Sequence, residues 1–99
     1  MIIYNETIIM DEAIYDEWLA WMKTVHIPAV MQTGHFDDYR LLQILDSPNE
    51  GVTVCIQYST EHLDHYKRFT TTSQQQLQEA HRKQFENQFV QFSTIMQSI

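Results

Sequence analysis

Residues 14–26 have the apolar periodicity of an amphipathic helix, and this helix constrains the fold more than any other segment. At about 100° per residue, its large apolar side chains fall within one arc of the helix. They are Ile14, Tyr15, Trp18, Leu19, Trp21, Met22 and Val25. Asp11 is placed to accept hydrogen bonds from the first turn, and Pro28 disfavours helical geometry in the residue before it. We therefore expect a helix that begins after Asp11, ends near His26 and packs its tryptophans in the core.

The remaining breaks in structure are easy to locate, because the chain contains only two glycines and two prolines. Pro28 and Gly34 suit the start and the C-terminal cap of a short helical turn. Residues 61–86 have a second helical pattern, interrupted near Ser73, whose spacing to Gln76 is that of a capping box. Alternating and β-branched residues predict four strands, at 2–10, 36–46, 52–59 and 88–97.

The order strand, helix, strand, strand, helix, strand predicts the fold class. It is typical of an α+β protein with a ferredoxin-like βαββαβ sandwich and a four-stranded antiparallel sheet. We expect residues 1–99 to form a single domain of this kind. The two helices cover one sheet face, yet several strands carry apolar residues on both faces. We therefore predict a homodimer that packs sheet face against sheet face, which makes a dimeric α/β barrel.

The charge balance excludes some classes of partner. Six Lys and Arg residues stand against 13 Asp and Glu, which gives a formal net charge of −7. Nucleic acids and anionic membrane surfaces need clustered cations, so we expect neither as a partner. The chain has no membrane-spanning apolar segment and no signal-peptide pattern, and the single Cys55 cannot form an intramolecular disulfide. These features favour a cytoplasmic protein.

His26 is the main candidate for a chemical role, and two interpretations of it remain open. An imidazole at the edge of the apolar arc suits proton transfer near neutral pH, with Asn5 and Tyr58 orienting a ligand. Alternatively, His26 bonds free carbonyls at the helix end, and the protein is a structural or interaction protein without catalysis. A pocket with converging polar groups favours the first interpretation. A histidine bonded to backbone carbonyls favours the second.

No metal or cofactor is expected from the motifs. His62 and His65 are spaced to share one side of a helix, but zinc sites need three or four ligands, and both residues lie off the apolar face. Phosphate-binding glycine loops, dinucleotide fingerprints and nucleophile elbows are missing from the sequence.

Four segments of the chain resemble a bacterial family classified as a domain of unknown function. They are Met1–Asn5, Trp18–Pro28, Gly51–Tyr58 and Phe85–Phe92. That family is similar to the dimeric α/β-barrel superfamily, which includes antibiotic-biosynthesis and haem-degrading monooxygenases. The resemblance implies a dimeric ferredoxin-like fold, whereas function does not follow from the fold.

The resemblance also implies particular site residues. In superfamily members with a His-x-Pro motif, the histidine borders a pocket between helices and sheet, and here it is His26. In haem-degrading members, an asparagine, an aromatic residue and a histidine form the site, and the nearest matches are Asn5, Tyr66 and His81. Because tyrosine replaces tryptophan and the spacing to His81 is longer, haem chemistry is disfavoured. We expect an unidentified small molecule to be bound, with His26 as the catalytic group if the protein is an enzyme. The candidate ligand-binding residues are Asn5, Trp18, Tyr58, Tyr66 and His81.

Overall fold

A four-stranded antiparallel sheet with the strand order β2-β3-β1-β4 forms one layer of the molecule. The computed structural model describes residues 1–99. The strands are β1 (Ile2–Met10), β2 (Asp38–Ile44), β3 (Val52–Thr60) and β4 (Phe89–Gln97). The predicted α+β, ferredoxin-like fold is confirmed, and the predicted strand limits differ from these by at most two residues.

Helices form the second layer of the molecule. A 3₁₀ turn at Glu12–Ile14 leads into α1 (Tyr15–Trp21), a π-helical turn (Met22–His26) and α2 (Ile27–Gln32). After the β2–β3 hairpin come α3 (Leu63–Thr72) and α4 (Gln74–Gln84). Asp11 caps the first turn as predicted, since its Oδ1 accepts a hydrogen bond from the Ala13 amide at 2.8 Å. None of the helices has the length and apolar character needed to cross a membrane.

The prediction that the first helix ends near His26 is wrong. The chain continues through a π-helical turn into α2, with the Ile27 N–H bonded to the Met22 carbonyl five residues back. Pro28 lies in the first turn of α2, and its missing N–H leaves the helical ladder one hydrogen bond short just after the π-helical turn. The wider π turn changes the phase of the helix. As a result His26 is buried at 3% exposure, whereas Val25, predicted on the apolar face, is 48% exposed.

The core lies between the helices and one face of the sheet. Alternate residues of β1 and β3 point into it, as strand geometry requires. The buried apolar residues of these strands are Tyr4, Ile8, Met10, Val52, Val54, Ile56 and Tyr58. Trp18 packs against them and is fully buried, in agreement with its place on the predicted apolar arc.

The other sheet face, which we call the outward face, is not covered by any helix. It carries polar residues in its centre and exposed apolar side chains around them. The exposed apolar residues are Leu42, Ile44, Val90, Phe92 and Met96. Val90 and Phe92 are 63% and 54% exposed, which leaves a large apolar surface on an edge strand.

The second helical region divides at Ser73, as predicted, but the predicted capping box does not form. The Ser73 side chain makes no capping hydrogen bond to α4. Instead, the hydroxyls of Thr70, Thr71 and Thr72 bond back to the carbonyls of Lys67 and Arg68. Such back-bonding competes with the helical ladder, and here it is confined to the last turn of α3.

Candidate functional site

Glu6 places a carboxylate in the interior, on the sheet face that meets the helices. It lies between Tyr4 and Ile8 on β1 and is 2% exposed. Gln91 of β4 donates a hydrogen bond from Nε2 to Glu6 Oε2 at 2.6 Å. Lys and Arg form no ion pair with Glu6, and the one basic side chain within 4.0 Å of its carboxyl group is that of His26. Burying an acidic side chain without a Lys or Arg partner costs free energy, so Glu6 is a candidate functional group.

His26 faces Glu6 from the π-helical turn. Its Nε2 lies 3.7 Å from Glu6 Oε1, and both side chains are 2% exposed. This separation exceeds hydrogen-bond length, and His26 Nε2 has no other partner. The contact with backbone carbonyls that a helix-terminating histidine needs is therefore not made. The geometry instead leaves an imidazole nitrogen and a carboxylate oxygen facing each other in the interior.

His81 of α4 completes the group of buried titratable side chains. Its ring lies 5.4 Å from the His26 ring and stacks on Phe89 at 4.0 Å, measured between ring centroids. Trp18 donates from Nε1 to His81 Nε2 at 3.0 Å, so the proton of the neutral ring is on Nδ1, which has no partner. Burial, and secondarily the charge of His26, lower the pKa of His81 to about 4. His81 is consequently neutral at pH 7.

We call Glu6, His26, His81 and the half-buried Gln91 the buried cluster. Two tyrosines on the same sheet face adjoin it. Burial, and secondarily the charge of Glu6, raise the pKa of Tyr4 and of Tyr58, so both phenols remain protonated. Tyr4 accepts hydrogen bonds from two glutamines of α4, whereas the Tyr58 hydroxyl is buried without a partner. Glu6 and His26 are therefore surrounded by neutral hydrogen-bonding groups, away from bulk water.

The structure brings some of the predicted site residues together and separates others. Trp18, His26 and His81 lie side by side. Tyr58 stacks on Tyr4 and Tyr66 packs against it in a tilted orientation, at 5.9 and 5.5 Å between ring centroids. Asn5 points to the outward face, where its Nδ2 donates to Thr7 Oγ1 at 2.9 Å. It is therefore separated from the buried cluster by the sheet.

The arrangement implied by the resemblance to haem-degrading monooxygenases is not formed. Asn5 and His81 lie on opposite sides of the sheet, so they cannot line one pocket. His81 is fully buried, and its Nε2 already accepts the Trp18 hydrogen bond. These residues do not fit a haem.

The structure contains no group of three or more His, Cys, Asp or Glu side chains placed to hold a metal ion. His62 and His65 do approach each other, with ring centroids 5.4 Å apart. However, His65 Nδ1 is hydrogen-bonded to Thr60 Oγ1 at 2.9 Å, and no third ligand joins the pair.

Glu6 and Gln91 were missed by sequence reasoning, although a signal for Glu6 is present. It interrupts an otherwise apolar alternation of Ile2, Tyr4, Ile8 and Met10. A charged residue at the centre of a strand's buried face is rare unless it is paired. For Gln91 the sequence offers no comparable signal, because glutamine also occurs on solvated strand faces.

An open groove of about 440 Å³ between α4 and β4 reaches the cluster from outside, and Phe89 and Gln91 are among its lining residues. His26 lines none of the surface grooves of the molecule.

The fold is that of the ferredoxin-like α+β proteins. A dimeric ferredoxin-like protein from an uncultured marine organism superimposes with a TM-score of 0.73 at 5% identity, covering 99% of this chain and 94% of the other. A mutant of SnoaB, a cofactor-independent oxygenase from Streptomyces nogalater, gives 0.64 at 14% identity, with 98% and 91% covered. A protein from Deinococcus radiodurans assigned to the antibiotic biosynthesis monooxygenases gives 0.61 at 16% identity, with 99% and 92% covered.

The chain belongs to the family described as Domain of unknown function (DUF4286), whose model matches residues 1–99. The resemblance noted in the sequence is thereby confirmed. No curated protein matches the sequence of this chain.

Proposed function

We propose that this protein binds a small organic molecule beside the buried cluster and exchanges a proton with it through the Glu6–His26 pair. One observation carries the proposal: Glu6 Oε1 and His26 Nε2 face each other at 3.7 Å, both buried, and the nitrogen has no other partner. A buried polar group left unsatisfied costs about 1–3 kcal/mol. Groups held at such a cost cluster at functional sites.

The chemistry of the pair suits this role. A carboxylate can accept a proton from a bound molecule, and an adjacent imidazole can share or pass on that proton because its ordinary pKa is close to neutral. His81, kept neutral by burial, adds no competing positive charge. The likeness in fold to a cofactor-independent oxygenase supports the proposal, since such an enzyme depends on its substrate and its own side chains.

Retention of a bound molecule tests this function. We expect native mass spectrometry of gently purified wild-type protein to show an added small-molecule mass that is lost in His26→Leu, since leucine offers a bound molecule no hydrogen-bonding nitrogen. His62→Leu is the control, because His62 is exposed and lies outside the cluster. A bound mass that survives His26→Leu, or wild-type protein that carries no bound mass, would contradict the proposal.

We also infer that two copies of the chain pack together through their outward faces. Leu42 and Ile44 on β2, and Val90 and Phe92 on β4, are exposed apolar residues along the two edges of this face that a second sheet would cover. The dimeric ferredoxin-like protein of similar fold supports this arrangement. Light scattering at micromolar concentration should report twice the chain mass of 11.8 kDa. A mass that stays at one chain as the concentration rises would contradict the dimer.

A further inference from the structure

The groove between α4 and β4 has the size of a small-molecule site. Its volume is about 440 Å³, within the range of about 300–1,000 Å³ typical of such sites. Gln78 and Arg82 line it from the helix, and Phe89, Gln91 and Ser93 line it from the strand. Phe92, from the rim of the outward face, lines it as well, so the surface combines two aromatic rings with one arginine and several uncharged hydrogen-bonding groups.

Gln91 connects this groove to the interior. Its side chain lines the groove, and its Nε2 donates to the buried Glu6 at 2.6 Å. No other groove residue makes a hydrogen bond to Glu6. Gln91 is only half-buried on an edge strand, so its amide can turn towards water when another donor takes its place. The carboxamide thus occupies a position that a ligand could take.

The groove also indicates the chemistry of that ligand. A replacement for the Gln91 amide must donate an N–H or O–H, because Glu6 would otherwise be left buried without its hydrogen bond. Phe89, whose ring stacks on His81, offers a surface for a flat ring. Arg82 is paired with Glu79 and Glu86, so the rim has no uncompensated positive charge to select an anion. The fitting ligand is neutral and planar.

We propose that this groove is the entrance through which molecules reach the Glu6–His26 pair. The Gln91 side chain closes this entrance in the free protein, and we call it the plug. The groove admits neutral planar molecules with an N–H or O–H donor. Such a molecule lies against Phe89 and replaces the Gln91 amide on Glu6. Gln91 therefore positions the Glu6 side chain in the free protein, and only a molecule that donates a hydrogen bond to Glu6 can take its place. Proton exchange with the bound molecule rests on the proposed function. Recognition of the molecule by Glu6 is tested separately.

Indole and 1-methylindole are matched probes, because they share a flat ring system and only indole has an N–H. In ¹⁵N-labelled protein, indole should shift the Gln91 side-chain amide signal. We expect 1-methylindole to bind at least about fivefold more weakly, because it leaves Glu6 unsatisfied. Gln91→Ala, which removes the plug, should bind indole at least about threefold more tightly. Gln84→Ala, an exposed change on the same helix α4, should leave both affinities unchanged.

Equal affinities for the two probes, or no effect of Gln91→Ala, would overturn the proposal. Neither result would bear on proton exchange, because indole binding needs only recognition by Glu6. Conversely, selective indole binding together with a cellular ligand that survives His26→Leu would support the entrance and refute the proposed function.

Discussion

Replacing Trp18 with alanine is expected to lower the free energy of unfolding by about 3–5 kcal/mol, as large-to-small aromatic changes in cores do. Trp18 is fully buried, and its ring fills the space between α1 and the sheet. The change also leaves His81 Nε2 without the indole N–H that it accepts at 3.0 Å. Chemical denaturation followed by circular dichroism measures the loss.

Asp16→Ala is the control for this change, because Asp16 lies on the exposed side of the same helix. We expect it to cost less than about 0.5 kcal/mol. Trp18→Phe separates the two contributions, since it removes the N–H but keeps an aromatic ring. Similar small costs at positions 16 and 18 would contradict the helical register described above.

Gly51→Ala is expected to cost about 2–5 kcal/mol, although it adds a single methyl group. Gly51 has a φ of +85°, and a Cβ there would collide with the main-chain carbonyl of Met10. Left-handed geometry costs a non-glycine residue about 1–2 kcal/mol. Overpacking against a backbone atom that cannot rotate away adds about 1–3 kcal/mol.

Gly34→Ala is the matched control for the collision. Gly34 has a similar φ of +78°, but a Cβ there would meet nothing within 4 Å. We expect only the conformational cost of about 1–2 kcal/mol. Thermal unfolding of the two variants, measured side by side, isolates the steric contribution. Equal losses of stability at both positions would show that a side chain at position 51 does not collide with the Met10 carbonyl.

The overall fold could be predicted from the sequence because its signals are local. Strand alternation, the turn at Gly51 and the helical apolar arc each depend on neighbouring residues. The continuation of the helix past His26 could not be predicted. Pro28 is compatible both with the end of one helix and with the first turn of the next. The π-helical turn resolves this ambiguity, and it exposes Val25 while it buries His26.

The candidate site could be predicted only in part. The sequence pattern of a single helix identifies His26 and Trp18 as candidates. The residues that they contact come from distant strands and from α4. Glu6 and Gln91 meet because β1 and β4 are adjacent in the sheet, which requires the full strand order. Asn5 could not be assigned to a face, since both faces of β1 carry apolar residues in the sequence. The register with β3 and β4 places Asn5 on the outward face.

If Glu6 and His26 are held for proton exchange and not for stability, replacing both together should not weaken the fold. The direct measurement is the free energy of unfolding of Glu6→Leu/His26→Leu against wild type at pH 7. Buried polar pairs exchanged for apolar side chains of similar volume are often neutral, or stabilising by about 1–4 kcal/mol. Gln91, which is half-buried, can turn its freed amide to water. We predict a double variant at least as stable as wild type; a loss of more than about 2 kcal/mol would show that the pair is structural and contradict its proposed role.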